Sequence, residues 1–232
     1  MNELVDRAAQ LFPAYFRDLL ALLTGPKRFV AKRLIGKAGL EKALLFLAIS
    51  VAINFLLKLP LSHENLLSEL AQTAVFSLVL WTSAGIVTWL AFRAAGGTGT
   101  LDRSLAVSFY SFGVLEYLMS LTALSHMGAL RAIDPALYEE FNTALYDGRI
   151  LAFVMDVNRL MTSVGLRVSL GIVILGTIAA LLWVAAGWGG LRAAHHLAKL
   201  RSTVAFVIAV ILWIPVWAVI GLLANALVPA AP

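Results

Sequence analysis

The sequence predicts an all-α integral membrane protein: a five-helix bundle with an N-terminal cytoplasmic amphipathic helix and a short helical extracytoplasmic loop. Three observations carry that reading. Hydrophobic residues make up 61% of the 232 residues and charged residues 13%, where soluble globular chains carry roughly 25% charge. The apolar excess is gathered into nearly charge-free runs about as long as the ~20 residues a helix needs to cross a bilayer. Alternating segments of the barrel type, ~10 residues long, are absent, so backbone groups in hydrocarbon must find their partners inside helices. The formal charge of +5 is read as positive charge at a membrane surface, with no nucleic-acid partner. The chain has no cysteine, which excludes disulfides, thiolate nucleophiles and thiolate metal ligands.

Residues 1–38 form a cytoplasmic amphipathic and basic segment, and residues 39–232 the membrane domain. The opening does not resemble a cleavable signal, because Glu3 and Asp6 come first and no uninterrupted apolar core follows. Leu4, Leu11, Phe12, Tyr15, Phe16, Leu19, Leu20 and Leu23 recur at helical spacing, with Glu3, Arg7, Gln10, Arg17 and Asp18 mostly on the other face. Pro13 is expected to kink this helix or begin a second one. Thr24, Gly25 and Pro26 end it, and Lys27, Arg28, Phe29, Lys32, Arg33 and Lys37 follow as a basic, lipid- or partner-contacting cluster. Such an element can lie on an anionic leaflet, each basic residue contributing about 1 kcal/mol. It can also pack on the protein's own cytoplasmic loops, and the two arrangements are compatible.

Five spans follow, at about 43–61, 70–92, 105–124, 168–190 and 204–228. Counting Lys and Arg in the connections orients them: thirteen fall on the amino-terminal side, while five fall on the other and share it with seven acids. The amino terminus is therefore expected in the cytoplasm and the carboxy terminus outside. The long external loop, about 133–164, is expected to be helical: Asp134 with Pro135 starts one helix, Asp147 and Gly148 end it, and Arg149 to Val164 makes a second.

Signatures of chemistry are thin. His63, His126, His195 and His196 lack the spacing of a zinc site, and the pair His195 and His196 is expected to be solvated. Gly96, Gly97 and Gly99 make a turn and not a phosphate loop, since no strand precedes them and no Lys-Ser or Lys-Thr follows. No catalytic residue, metal or cofactor is expected. A membrane enzyme acting on lipids would need a paired acid and base or metal ligands, and neither is evident.

Glu116 is the exception, because a carboxylate near mid-bilayer must face other helices and find hydrogen-bond partners. Ser120 one turn on, Asn54 in the first span, and Thr82 and Ser83 in the second lie at similar depth. Two readings stay open: a neutral packing group, or the proton or ion site of a small transporter or channel. In the fourth span Gly171, Gly176, Ala185 and Gly189, with Ala186, Gly187 and Gly190, create small-residue faces for close helix contact, within the monomer or with another copy or membrane protein. Trp89, Trp183 and Trp188 read as interface anchors, and Trp213 and Trp217 as packing or lipid-facing residues around Pro215.

Two stretches together resemble the bacterial form of the Ypt-interacting protein (Yip) domain family. Leu22 to Leu34, LLTGPKRFVAKRL, is similar to the family's proline followed by a phenylalanine-containing basic stretch before the first span. Gly96 to Ser111, GGTGTLDRSLAVSFYS, is similar to its glycine-rich cytoplasmic turn and the Tyr-Ser pair, here Tyr110 and Ser111. Where members often carry a proline after that pair, this chain has Phe112, Gly113 and Val114. The resemblance implies a five-span membrane protein with a cytoplasmic amino terminus. Visible interaction surfaces and the lack of an evident reaction centre lead to the expectation of a non-enzymatic scaffold or accessory subunit of a bacterial cytoplasmic membrane, contacting lipids and other membrane proteins or a second copy.

Overall fold

The computed structural model describes residues 2–34, 37–58, 66–146 and 162–227. Among the described residues there are eight helices and no strand: α1 (Asn2–Thr24), α2 (Pro26–Arg33), α3 (Lys37–Lys58), α4 (Leu66–Ala94), α5 (Leu101–Ile133), α6 (Pro135–Tyr146), α7 (Val164–His195) and α8 (Lys199–Leu227). Five of them, α3, α4, α5, α7 and α8, are long and apolar enough to cross a membrane. The protein is a multi-pass helical membrane bundle.

Local chemistry sets the boundaries. Gly25 and Pro26 separate α1 from α2, with proline at the first helical turn of α2 where its missing N–H costs nothing. The Thr100 side chain accepts from the Arg103 N–H and caps α5, and Ser163 Oγ accepts from the Leu166 N–H at 3.1 Å to cap α7. Asp134 accepts from the Leu137 N–H at 3.1 Å, so the expected Asp-Pro start of α6 is present. The end expected at Asp147 and Gly148, and most of the second loop helix, lie outside the described residues. α1 continues through Pro13 and α8 through Pro215.

The third span was expected to end at residue 124, yet α5 runs 33 residues to Ile133, roughly 50 Å against a hydrocarbon core of about 30 Å. Its last turns are kept helical by a separate small core: Met127 and Leu130 pack with Leu137 and Tyr138 of α6 and Leu166 of α7. α5 is the axis of the molecule. α3 and α4 lie against one flank, α7 against another, while α8 packs on α4 and α2 on α7.

Candidate functional site

Glu116 stands on α5 where α3 and α4 converge on it. Its Oε1 accepts from Ser77 Oγ at 3.2 Å and from Trp81 Nε1 at 3.1 Å, and its Oε2 accepts from Asn54 Nδ2. The Ser120 hydroxyl lies against Asn54 Oδ1 and, at 2.8 Å, the Glu116 carbonyl oxygen. Asn54 and Ser120 are fully buried and Ser77 nearly so. Three side-chain donors thus converge on one carboxylate. The same atoms also fit a neutral acid: with the Asn54 amide turned over, its carbonyl oxygen accepts from the carboxyl O–H, its NH2 donates to Ser120 Oγ, and the Ser120 hydroxyl keeps the Glu116 carbonyl. Every member of the cluster therefore has a hydrogen-bond partner with either form of the carboxyl group.

Asn54 and Ser120 join Glu116, but Ser83 does not. Ser83 donates to the Leu80 carbonyl of its own helix at 2.7 Å, and Thr82 also stays out of the cluster. The α4 partners are instead Ser77 and Trp81, one turn apart on the same face. Depth could be estimated from the sequence; which face of α4 turns toward α5 could not.

The N-terminal segment is docked on the bundle. Tyr15, Leu19 and Leu22 are buried, with the Tyr15 ring stacked on Phe46 at 4.7 Å and its hydroxyl 3.1 Å from Ser50 Oγ. Burial pushes the Tyr15 phenol above its ordinary pKa, with the Ser50 hydrogen bond acting the other way. Phe12, Phe16, Leu20 and Leu23, on the adjoining face of α1, stay exposed. In the basic cluster Lys27, Arg28 and Lys32 are exposed. Arg33 donates to Asp18 at 2.8 Å. Phe29 corrects the expectation of a lipid- or partner-contacting ring: it is 5% exposed and meets the Tyr110 ring edge-on at 4.8 Å. The apolar positions of α2 turn inward because α7 and α5 offer a surface there. Lys37 opens α3.

The two stretches that carry the family resemblance therefore touch, through Phe29 and Tyr110. Gly113, two residues after the Tyr110-Ser111 pair, stands against α3: a Cβ there would come within 2.8 Å of the Phe46 ring and 2.9 Å of Ser50 Oγ. The Ser111 carbonyl accepts from Trp183 Nε1 at 2.7 Å, so Trp183 is a buried strut between α5 and α7 and not an interface anchor.

The glycine turn encloses a histidine. His195 is fully buried, with Nε2 2.7 Å from Ser104 Oγ and its carbonyl accepting from the Thr98 N–H at 3.1 Å. Gly96 turns at φ 89°, and Arg93 donates to the Gly97 carbonyl at 3.2 Å. A Cβ on Gly97 or Gly99 would come within 2.9 or 2.8 Å of His195 Nδ1. These glycines allow close approach to an imidazole, a requirement that a turn signal does not reveal. The expectation of a solvated pair fails for His195, whose Ser104 partner and glycine cover only the fold supplies; His196 alone is exposed, as the left-handed cap of α7.

The small residues of α7 divide between two faces. A Cβ on Gly176 would collide with the Thr122 side chain, and Gly187 and Gly190 face Ser111 and Val30. Gly171 and Gly189 face open space and Ala185 is exposed. At about 100° per residue, Gly189 lies roughly 140° round the helix from Gly176, so the two glycines cannot serve one packing face.

Compared with family models, curated proteins and solved structures, the chain matches none. Among the described residues no group of His, Asp and Glu could hold a metal ion. The arrangement offers a hydrogen-bonded carboxyl cluster inside the bundle and a docked N-terminal segment whose outer face is exposed.

Proposed function

We propose that the protein is a non-enzymatic membrane scaffold or accessory subunit of the Yip-domain type, residing in a bacterial cytoplasmic membrane with its amino terminus inside and carboxy terminus outside. One observation supports this most directly. The inner face of α1 and α2 is clamped to the bundle by Tyr15, Leu19, Leu22, Phe29 and Val30, while Phe12, Phe16, Leu20 and Leu23 stay exposed beside Arg17, Lys27, Arg28 and Lys32. An apolar stripe bordered by cations is the composition that binds an anionic leaflet or an acidic partner surface. A rigidly held stripe presents it without the entropy cost of ordering a free segment.

The test is isolation from native membranes in gentle detergent, comparing wild type with Lys27→Glu/Arg28→Glu/Lys32→Glu. Wild type is expected to retain anionic lipid and a reproducible membrane-protein or homo-oligomeric partner, and the charge-reversed variant to lose both. A monomer with no reproducible partner, unchanged by charge reversal, overturns the proposal.

A second reading rests on the Glu116 cluster, whose hydrogen bonds close in either protonation state: a small transporter or channel using Glu116. Proton flux across proteoliposomes that disappears in Glu116→Gln would favour it over the scaffold. Equal flux in wild type, variant and empty vesicles removes it.

A further inference from the structure

The other flank of α5 holds a cavity of about 210 Å³ lined by α4, α5, α7 and α8. Although α7 and α8 are consecutive, α7 packs on α5 and α8 on α4, which leaves a partly open cleft between them. Its walls include Val107 and Phe112 of α5, Trp183 and Leu191 of α7, and Phe206 and Trp213 of α8. The lining is almost entirely apolar. A void of this kind forfeits dispersion contacts along its whole wall unless something fills it.

Its depth identifies what surrounds it. Val107, Leu191 and Phe206 lie near the ends of their helices on the side of the 95–100 turn, and Leu115, Trp183 and Trp213 lie deeper. At about 1.5 Å per residue, the cavity extends from roughly 6–10 Å below those helix ends to roughly 20 Å. With the helix ends in the headgroup region, that range reaches no deeper than the middle of a bilayer about 40–45 Å thick in all, where the apolar matter on offer is acyl chain. The four helices that line it end, on that side, in Arg93, Arg103, Arg192, Lys199 and Arg201, against one carboxylate, Asp102. Arg192 is braced over the Trp188 ring at 5.7 Å, and Arg201 reaches to the Gly96 turn.

We propose that this cleft is a binding site for an anionic phospholipid of the leaflet on the basic side, one acyl chain lying between α7 and α8 and the phosphate meeting Arg192 and Arg201. The site is separate from the outer face of α1 and needs no scaffold partner. Phosphate and chain are recognised by different residues, so they can be tested apart.

The experiment is native mass spectrometry of the full chain after exchange into detergent containing phosphatidylglycerol or phosphatidylcholine with matched chains. Val210 lines the cavity at its exposed rim, so Val210→Trp fills it from outside without burying the new side chain in the core. Wild type is expected to retain one phosphatidylglycerol in preference to phosphatidylcholine. Val210→Trp should lower retention of both about tenfold at an unchanged melting temperature. Arg192→Gln/Arg201→Gln should abolish the headgroup preference while keeping a bound chain. Equal retention by wild type and Val210→Trp, or no headgroup preference in wild type, overturns the proposal. If Val210→Trp does not fold, Val184→Phe on the facing wall gives the same readout.

Discussion

The two flanks of α5 are held by different chemistry. Toward α3 and α4 the contact is threaded by hydrogen bonds, from Asn54, Ser77 and Trp81 to Glu116 and from Ser120 to Asn54. Toward α7 close approach, Gly176 against Thr122 and Gly187 against Ser111, is combined with separate hydrogen bonds spread along the contact, from Trp183 to the Ser111 carbonyl, between Ser104 and His195, and between His126 and Ser169. Inside a bilayer apolar faces gain little from leaving lipid for one another, so helices hold together through polar bonds or tight packing. The α3–α4 flank gathers its polar bonds on one buried carboxylate, whereas the α7 flank spreads single bonds along its length around the close glycine contacts. Among the described residues no side-chain hydrogen bond joins α8 to α7, and there the cavity opens.

Substitutions break this comparison in a definite order. The largest effect is expected at Gly176→Leu, where the new side chain collides with Thr122 and α7 must move off α5; a loss of about 3 kcal/mol should appear in unfolding titrations in mixed micelles. A wild-type midpoint would mean that the α7 flank is not closely packed. Next comes Glu116→Ala, which leaves the donors of Asn54, Ser77 and Trp81 without their acceptor and should cost about 2 kcal/mol in the same titration. Glu116→Gln should keep most of that stability, since the Asn54 flip satisfies an amide as well as an acid. A variant as unstable as Glu116→Ala would show that the cluster requires the anion.

Tyr15→Phe sharpens the comparison at the edge of the α3 flank. It deletes the bond to Ser50 and keeps the stack on Phe46, so a loss of about 1 kcal/mol is expected, with faster protease cleavage of the N-terminal segment as an independent readout. The smallest effect belongs to Gly189→Leu, on the open side of α7. It should shift stability by no more than about 0.5 kcal/mol, and a loss matching that of Gly176→Leu would mean that both sides of α7 are packed.

Much of the architecture was legible residue by residue. The five apolar runs, the Gly25-Pro26 break and the Asp134-Pro135 helix start all appear where read. The same periodicity misled at the helix ends: α5 outlasts its apolar body because α6 and α7 hold residues 125–133. Phe29 was grouped with its basic neighbours in sequence, whereas in the fold it points the opposite way, onto Tyr110. Glu116 could be singled out because a carboxylate in an apolar run needs partners, but Ser77 and Trp81 became its partners through the rotation of α4, which a nearly all-round apolar helix does not encode in its pattern.

Span number, helix type and the uneven distribution of charge follow from composition and order alone, because bilayer thickness and backbone desolvation act on each segment separately. Which residues meet is a different matter. The cage around Glu116, the burial of His195 under Gly97 and Gly99, the split faces of α7 and the cleft beside α8 all depend on how helices rotate and tilt against one another. That choice is made by side-chain fit between segments far apart in the chain, and only the tertiary structure decides it.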